Sequence, residues 1–333
     1  MDRPGTPPSD NGATMTQAPT PTADTVRRLV RSLLKDGTDS DTDSGTGPAV
    51  RPVAESGEHS TWWVGSRHVL RLAPDREATV RQRRELRLRD LVRPHLPVAV
   101  PTSVAHGEWS PGLTYTLDTL VPGGTAREHD VSAVGEADLA GLLTGLREVP
   151  ARQAEVFGVP RVAPRSLEAL RRMAVQDAER LGAADEFDPA RLHQLPPQAA
   201  VQLAAARHGG AVLVHHALKG EHLVVSADGR VRGVLDWTDP ALGDPAEDIA
   251  GLAVAVGSPA AVRAATLAGY GARPCLRGLW LARCDTVIRL AAALKGHDTA
   301  PLPLLALQLR HAWEAILLER VTELREDGPD GEL

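Results

Sequence analysis

Hydrophobic and polar positions alternate in short runs through the first third of the chain. A two-residue period is typical of strands that bury one face, so each run predicts a β-strand. A longer, highly charged stretch between the third and fourth runs has the length of a helix. The predicted strands cover Val50–Val53, Thr61–Val64, His68–Leu72, Val98–His106 and Leu113–Leu120, and the predicted helix covers about Arg76–Val92.

From Glu128 onwards the apolar residues follow a helical period. Leu139, Leu142, Leu143 and Leu146 form one apolar stripe at three- and four-residue spacing. Further helices are predicted at Pro164–Leu181, Pro196–His208, Pro245–Val256, Pro259–Tyr270, Leu276–Leu294 and Leu302–Leu324. One β segment, from Val212 to Leu235, interrupts this helical region. The pattern predicts an α+β, bilobal protein, with an antiparallel β-sheet and one helix first and a larger, mainly helical lobe after it.

Composition divides the chain into five parts. Residues 1–23 are rich in Pro, Ser and Thr and predict a disordered tail with no signal-peptide pattern. Residues 24–48 predict a short helix capped by Asp24, followed by a polar linker. The N-terminal lobe is predicted at 49–125, the C-terminal lobe at 126–325, and a second disordered tail at 326–333.

Charge and cysteine content exclude several classes of function. The net charge is −6 and the pI about 6.1, so we expect neither nucleic acid nor an anionic membrane as a partner. The sequence contains no run of 18 apolar residues, so it predicts no membrane span. The two cysteines, Cys275 and Cys284, cannot form a disulfide framework or a four-cysteine zinc site, and we expect a cytoplasmic protein.

The β segment contains the clearest local signal. Asp228-Gly229 is a strong two-residue hairpin turn between two apolar runs. Residues at similar distances from such a turn are neighbours in the hairpin. His222 precedes Asp228 by six residues and Asp236 follows Gly229 by seven. The register therefore predicts that His222 and Asp236 lie side by side at the open end.

Three motifs in and after this hairpin resemble those of one enzyme family. The run His215–His222, HHALKGEH, is similar to the HRDLKPEN catalytic loop of protein kinases and to the HGDLxxxN loop of aminoglycoside phosphotransferases. Leu235–Trp237 resembles the metal-binding segment written DFG in protein kinases and IDW or LDW in the antibiotic kinases. Gly243–Asp248, GDPAED, resembles the GDPxxD element of the same branch. The resemblance covers roughly residues 50–320 and implies a protein-kinase-like fold.

The resemblance also implies a chemistry, which is phosphoryl transfer from ATP or GTP to a hydroxyl of a small molecule, with Mg²⁺. Such transfer depends on positioning and charge neutralisation. Asp236 takes the place of the metal-binding aspartate. Lys219 matches the loop lysine that reaches the γ-phosphate, and His215 matches the histidine that braces the loop. Lysine at this position is notable because only three of the 37 basic residues are lysines.

The N-terminal lobe carries a looser match. Arg71 lies on the strand that normally supplies a phosphate-anchoring lysine, and arginine also binds phosphate. Glu85, on the charged helix, would pair with Arg71. The turn Ser56–Ser60, with Ser60 as a nucleotide contact, would cover the phosphates. The alternative for Arg71 and Glu85 is an exposed strand cation and a solvated helix face.

Two positions depart from the family pattern. His222 occupies the place of the metal-binding asparagine, and its imidazole can still ligate a metal or hold a loop contact. Ala217 occupies the place of the catalytic aspartate, and a methyl group cannot accept a proton. Three explanations stay open: a natural pseudokinase, a natural enzyme in which His216 or Glu221 serves as base, or an introduced substitution. The alternative function is a catalytically silent module that binds nucleotide or another ligand.

Overall fold

The alternating N-terminal runs form a five-stranded sheet in the computed structural model, which describes residues 20–34, 48–53, 60–204 and 211–316. The contacts divide the chain into two compact units. The first contains residues 1–80 and 104–118, and the second contains residues 81–103 and 119–333. Residues 1–19 of the predicted N-terminal tail, the whole predicted C-terminal tail, nearly all of the predicted linker and most of the Ser56–Ser60 turn lie outside the described residues. The predicted N-terminal tail is one residue too long, because Ala23 already belongs to a helix.

The first unit is built on the sheet, whose strand order is β1-β2-β3-β5-β4. Its strands are β1 (Val50–Pro52), β2 (Ser60–Val64), β3 (His68–Leu72), β4 (Ser103–Ser110) and β5 (Leu113–Thr119). Strands β1, β2 and β3 pair antiparallel, with Trp62 opposite Leu70. These two side chains lie on the buried face, where Val26 and Val30 of helix α1 (Ala23–Leu34) join the same apolar cluster. The predicted alternation is therefore the burial pattern of the sheet.

The main differences from the predicted boundaries in this part lie in helix α1 and in strand β4, which also ends at Ser110 rather than His106. Helix α1 begins at Ala23, and the Thr22 hydroxyl accepts a hydrogen bond from the Thr25 amide at 3.2 Å, so Thr22 rather than Asp24 caps it. The fourth strand begins at Ser103 rather than Val98. Pro101 has no amide hydrogen for a strand ladder, which accounts for the later start.

The second unit is mainly helical. Helix α2 (Arg76–Val92) belongs to this unit from Arg81 onward. It is followed by α3 (Ala133–Glu148), α4 (Ala151–Val156), α5 (Leu167–Ala183), α6 (Pro197–Gln202), α7 (Ala246–Val256), α8 (Ser258–Leu267), α9 (Ala272–Leu294) and α10 (Leu302–Ala312). A Cβ on Gly278 of α9 would lie 2.7 Å from the Ile249 side chain of α7, so only glycine allows these two helices to approach so closely. Among the described residues, no helix has the length and apolar character needed to cross a membrane.

Short strands in the second unit build the predicted hairpin. Strands β6 (Gly124–Thr125), β8 (Leu223–Val225) and β9 (Val231–Val234) form one small sheet. Strands β7 (Val212–Val214) and β10 (Ala241–Gly243) form a separate antiparallel pair. Gly229 has a φ of +75°, the left-handed conformation that a tight hairpin turn requires. Leu223 pairs with Val234, which places the open end where the register predicted it.

The last predicted helix, Leu302–Leu324, is too long at its C-terminal end. Helix α10 ends at Ala312, and the chain is not helical from there to Ile316, the last described residue. The Ala312 carbonyl accepts hydrogen bonds from Ser258 at 2.8 Å and from Arg283 at 3.1 Å. The Trp313 carbonyl accepts one from Arg191 at 2.8 Å. These side chains satisfy carbonyls at the helix end that a continuing helix would have paired with its own amides.

Candidate active site

The loop that follows β7 is anchored to helix α7 by one buried carboxylate. Asp248 accepts the backbone amide of His215 on Oδ2 and that of His216 on Oδ1, each at 2.8 Å. His216 has a φ of +65°, which is unfavourable for a residue with a side chain and requires support from its surroundings. Asp248 provides that support from a helix 32 residues further along the chain.

Asp248 is 2% exposed, and this burial dominates its electrostatics. Loss of hydration raises the pKa of Asp248 to about 7, while the two accepted amide hydrogen bonds oppose the shift. Burial therefore favours the uncharged form of this carboxyl more strongly than in an exposed aspartate.

His215 braces the loop from inside the protein. Its side chain is fully buried and meets the Trp237 ring edge-on, with ring centres 4.6 Å apart. Burial lowers the pKa of His215 to about 3, so the imidazole is neutral. Nε2 lies 3.1 Å from the Leu235 carbonyl and therefore carries the proton and donates it. A neutral donor buried in this way fits the bracing role implied by the resemblance.

His222 and Asp236 meet at the open end of the hairpin. His222 Nε2 lies 3.3 Å from Asp236 Oδ2. His222 Nδ1 lies 2.7 Å from the Ala217 carbonyl, which makes Nδ1 the protonated nitrogen and leaves the lone pair of a neutral ring on Nε2. A second bond fixes the carboxylate, because the Thr238 hydroxyl donates to Asp236 Oδ1 at 2.5 Å. Asp236 has a φ of +61°, so its backbone too is held in an uncommon conformation.

This donor pair fits a divalent cation that is held jointly with phosphates. The described residues contain no group of three His, Cys, Asp or Glu side chains suited to binding a metal by themselves. Magnesium is usually bound through one or two carboxylates together with substrate phosphates and water, so a third side chain is not required. Asp236 offers an oxygen ligand and His222 a nitrogen ligand. Metal-binding histidines usually donate their other ring N–H to a carbonyl or carboxylate, as His222 Nδ1 does to the Ala217 carbonyl.

Ala217 lies between these fixed residues and adds only backbone groups. Its carbonyl accepts from the Lys219 amide at 2.8 Å as well as from His222. Two side chains nearby in sequence carry a base: Glu221 forms an ion pair with Arg127 at 2.8 Å, while His216 is exposed. The Lys219 side chain is also exposed on this loop.

The remaining predicted residues are placed as follows. Ser60 begins β2, and its hydroxyl accepts from Trp62 Nε1 at 2.9 Å. Arg71 lies half-buried on β3, opposite Thr61. Glu85 is buried in α2, with Oε1 3.9 Å from the Arg89 guanidinium. Their nucleotide-contacting roles and the pairing of Arg71 with Glu85 stay predictions.

The structure also adds residues to which sequence reasoning gave no role. Asp248 was visible as the last residue of the GDPAED motif, but its hold on the loop was not apparent. Thr238 and Arg84 had no signal of their own. Arg84 Nη2 donates to the Thr238 carbonyl at 2.7 Å, and these residues are 154 positions apart in the chain.

The braced loop, the hairpin and the His–Asp pair together define a kinase-like phosphotransferase fold. The family model of the APH phosphotransferase enzyme family matches residues 49–279. The chain belongs to this family, which confirms the predicted resemblance and fold class. No curated protein matches the chain.

Solved structures share the fold at low sequence identity. The GDP complex of a mutant aminoglycoside 2'-phosphotransferase-IIIa is 17% identical, with a TM-score of 0.61 over 90% of this chain and 99% of that one. The apoenzyme of macrolide 2'-phosphotransferase MphH from Brachybacterium faecium is 24% identical, with a TM-score of 0.55 over 86% and 98%. A streptomycin–ATP ternary complex of APH(2'')-IIa is 14% identical, with a TM-score of 0.56 over 87% and 99%. At these identities the likeness shows the fold alone.

Proposed function

We propose that this protein binds a nucleoside triphosphate with a divalent cation and is built as an O-phosphotransferase for a hydroxyl of a small molecule. The observation that carries the proposal is the 3.3 Å approach of His222 Nε2 to Asp236 Oδ2, at the end of a loop that Asp248 anchors. The lone pair of His222 Nε2 and the negative charge of Asp236 lie side by side there, and together they form a site for a cation.

Each loop residue has one part in this proposal. Asp236 and His222 hold the cation, which neutralises phosphate charge when it is bound. Lys219 is exposed on the loop and can extend its ammonium towards the γ-phosphate. His215 contributes no proton, because it is neutral and its Nε2–H is committed to Leu235. On the N-terminal side, Arg71, Glu85 and Ser60 are the proposed nucleotide contacts.

The relatives supply the classes of donor and acceptor. Some of these structures contain GDP or ATP, and some contain kanamycin, gentamicin or streptomycin. Another is named as a macrolide phosphotransferase. We therefore propose ATP or GTP as donor, Mg²⁺ as the cation, and an antibiotic, sugar or nucleoside hydroxyl as acceptor. A cytoplasmic location, without nucleic acid or membrane partners, agrees with the composition.

Ala217 favours a second candidate, a silent kinase-fold protein that binds nucleotide or another ligand as a regulatory module. General-base assistance is worth about 10²–10⁴-fold in rate, and the alanine methyl supplies none. The site that would hold the cation does not depend on this side chain. Binding is therefore expected to survive, while transfer is expected to be slow.

A titration with fluorescent ATP and GTP analogues in the presence of Mg²⁺ tests the binding part. We expect saturable binding by the wild-type protein and at least tenfold weaker binding by Asp236→Ala. Asp228→Ala is the matched control, because Asp228 is an exposed carboxylate at the turn of the same hairpin. Absence of nucleotide binding by the wild-type protein would contradict the first candidate and the nucleotide-binding form of the second.

The acceptor is tested with the Ala217→Asp protein, which restores the missing carboxylate. A panel of aminoglycosides, macrolides, nucleosides and sugars is screened for transfer of ³²P from labelled ATP or GTP. The Asp236→Ala substitution in the same background is the control for contaminating kinases. Label on one acceptor class identifies the substrate, whereas nucleotide binding without label on any acceptor favours the silent module.

A further inference from the structure

The Asp236 carboxylate is steadied by a chain of two hydrogen bonds that ends on helix α2. The Thr238 hydroxyl donates to Asp236 Oδ1, and the Thr238 carbonyl in turn accepts from Arg84 Nη2 at 2.7 Å. Thr238 is 5% exposed, while the Asp236 side chain is 40% exposed. A half-exposed carboxylate therefore rests on a buried residue that is itself fixed by an arginine.

This arrangement gives the two oxygens of Asp236 different environments. Oδ1 receives the Thr238 hydroxyl, and Oδ2 lies beside His222 Nε2. A carboxylate on a freely rotating side chain would exchange its oxygens between these positions. The hydroxyl bond removes this freedom and leaves Oδ2 in place as a ligand, which is the usual effect of hydrogen-bond partners on metal-binding groups.

Arg84 fixes the segment from which the hydroxyl is donated. The Asp236 backbone has positive φ, a conformation that a non-glycine residue keeps only when its surroundings hold it. Arg84 reaches the backbone two residues later and bonds its carbonyl with a charged donor. The guanidinium therefore acts on the main chain of the segment and not on the carboxylate directly.

We propose that Thr238 and Arg84 are positioning residues, which orient the Asp236 carboxylate for a divalent cation. This inference rests on the proposed function, since it concerns the same cation. It is distinct from that proposal because it assigns the affinity for the cation to two residues that do not contact it. If Thr238 and Arg84 served only the stability of the fold, their substitution would lower the free energy of unfolding without changing the affinity for the cation.

The test is a titration with Mn²⁺, whose free ion is measured by electron paramagnetic resonance, in the presence of saturating ATP. Thr238→Val removes the hydroxyl and keeps the volume, and Thr238→Ser keeps the hydroxyl. A hydrogen bond to a charged group predicts about tenfold weaker Mn²⁺ binding by the valine protein. The serine protein should stay within about threefold of the wild type. Affinity for ATP without metal should be equal in all three.

Arg84→Met tests the second link, with Arg152→Met as control, because Arg152 is an exposed arginine of the same unit. We expect about threefold weaker Mn²⁺ binding for the first variant and no change for the second. Denaturant midpoints, measured on the same samples, report any loss of stability separately. Equal Mn²⁺ affinity in the wild-type and Thr238→Val proteins would overturn the inference alone. No Mn²⁺ binding by the wild-type protein in the presence of ATP would overturn the proposed function as well.

Discussion

Replacing Asp248 by asparagine tests how the loop is held. The carboxylate accepts two backbone amides, whereas an asparagine side chain has one oxygen and turns its NH₂ group towards the other amide. One buried amide is therefore left without an acceptor. At pH 5, where the raised pKa keeps Asp248 uncharged, an unsatisfied buried donor costs about 1–3 kcal/mol, so we expect a loss of up to about 3 kcal/mol in the free energy of unfolding.

The loss should depend on pH in a defined direction. Burial raises the pKa of Asp248 to about 7, against an ordinary value of 3.8. A raised carboxyl pKa stabilises the fold at low pH, and that contribution disappears as pH rises from about 4 to 7. Asparagine does not titrate. The wild-type advantage should therefore shrink by about 2–3 kcal/mol between pH 5 and pH 8.

Urea unfolding of both proteins at pH 5, 6, 7 and 8 measures this difference. Asp228→Asn is the control, because the Ser226 hydroxyl lowers the pKa of that exposed carboxyl. The ionised Asp228 carboxylate contributes its full share to the free energy of unfolding at every pH above its ordinary pKa. The effect of Asp228→Asn should therefore not change between pH 5 and pH 8. A constant or growing wild-type advantage for Asp248 over the same range would refute the account of a buried, titrating anchor.

Three further substitutions test the surroundings of the loop by urea unfolding. His215→Phe should cost about 1–2 kcal/mol at pH 7.5 through the lost bond to Leu235. This loss of unfolding free energy should shrink by about 2 kcal/mol at pH 5, because the lowered pKa of His215 makes the wild-type fold lose stability as pH falls below 6.5. A loss that is the same at both pH values would argue against a neutral His215 ring. Arg165→Met removes the 2.8 Å partner of Asp285, whose pKa burial already raises. With Arg165 37% exposed, we expect a loss of about 2 kcal/mol, larger at pH 8 than at pH 5; a loss independent of pH would contradict the pairing. Gly229→Ala should cost about 1–3 kcal/mol, because φ is +75° and the Cβ would lie 2.7 Å from the Ser132 amide nitrogen; no loss would contradict the tight turn.

The sequence was most informative where the geometry is local. A two-residue Asp-Gly turn sets the pairing of the strands on either side, so the approach of His222 to Asp236 could be predicted from counting. The sheet and most helices follow from periodicity, which reports the face that each element buries. The roles of Arg71, Glu85 and Ser60 could be predicted only from family resemblance, and they stay predictions.

Contacts between distant parts of the chain could not be predicted in this way. Arg84 and Thr238 are 154 residues apart, and the residues that Arg165 joins lie 82 and 120 positions away from it. No sequence pattern links such partners. The C-terminal helix was predicted too long for the same reason, because Arg191 satisfies the Trp313 carbonyl from 122 residues away.

We propose above that the protein binds metal and nucleotide at a phosphotransferase site and that Ala217, in place of the catalytic carboxylate, limits transfer. Single-turnover transfer of the γ-phosphate, to water or to an acceptor identified in the screen, measures this directly. Wild-type protein, Ala217→Asp and Ala217→Asn are compared at saturating ATP and Mg²⁺. We expect nucleotide affinities within about threefold of each other and transfer at least about 100-fold faster for the aspartate protein alone. Equal rates for the wild-type and aspartate proteins, or no nucleotide binding by either, would contradict it.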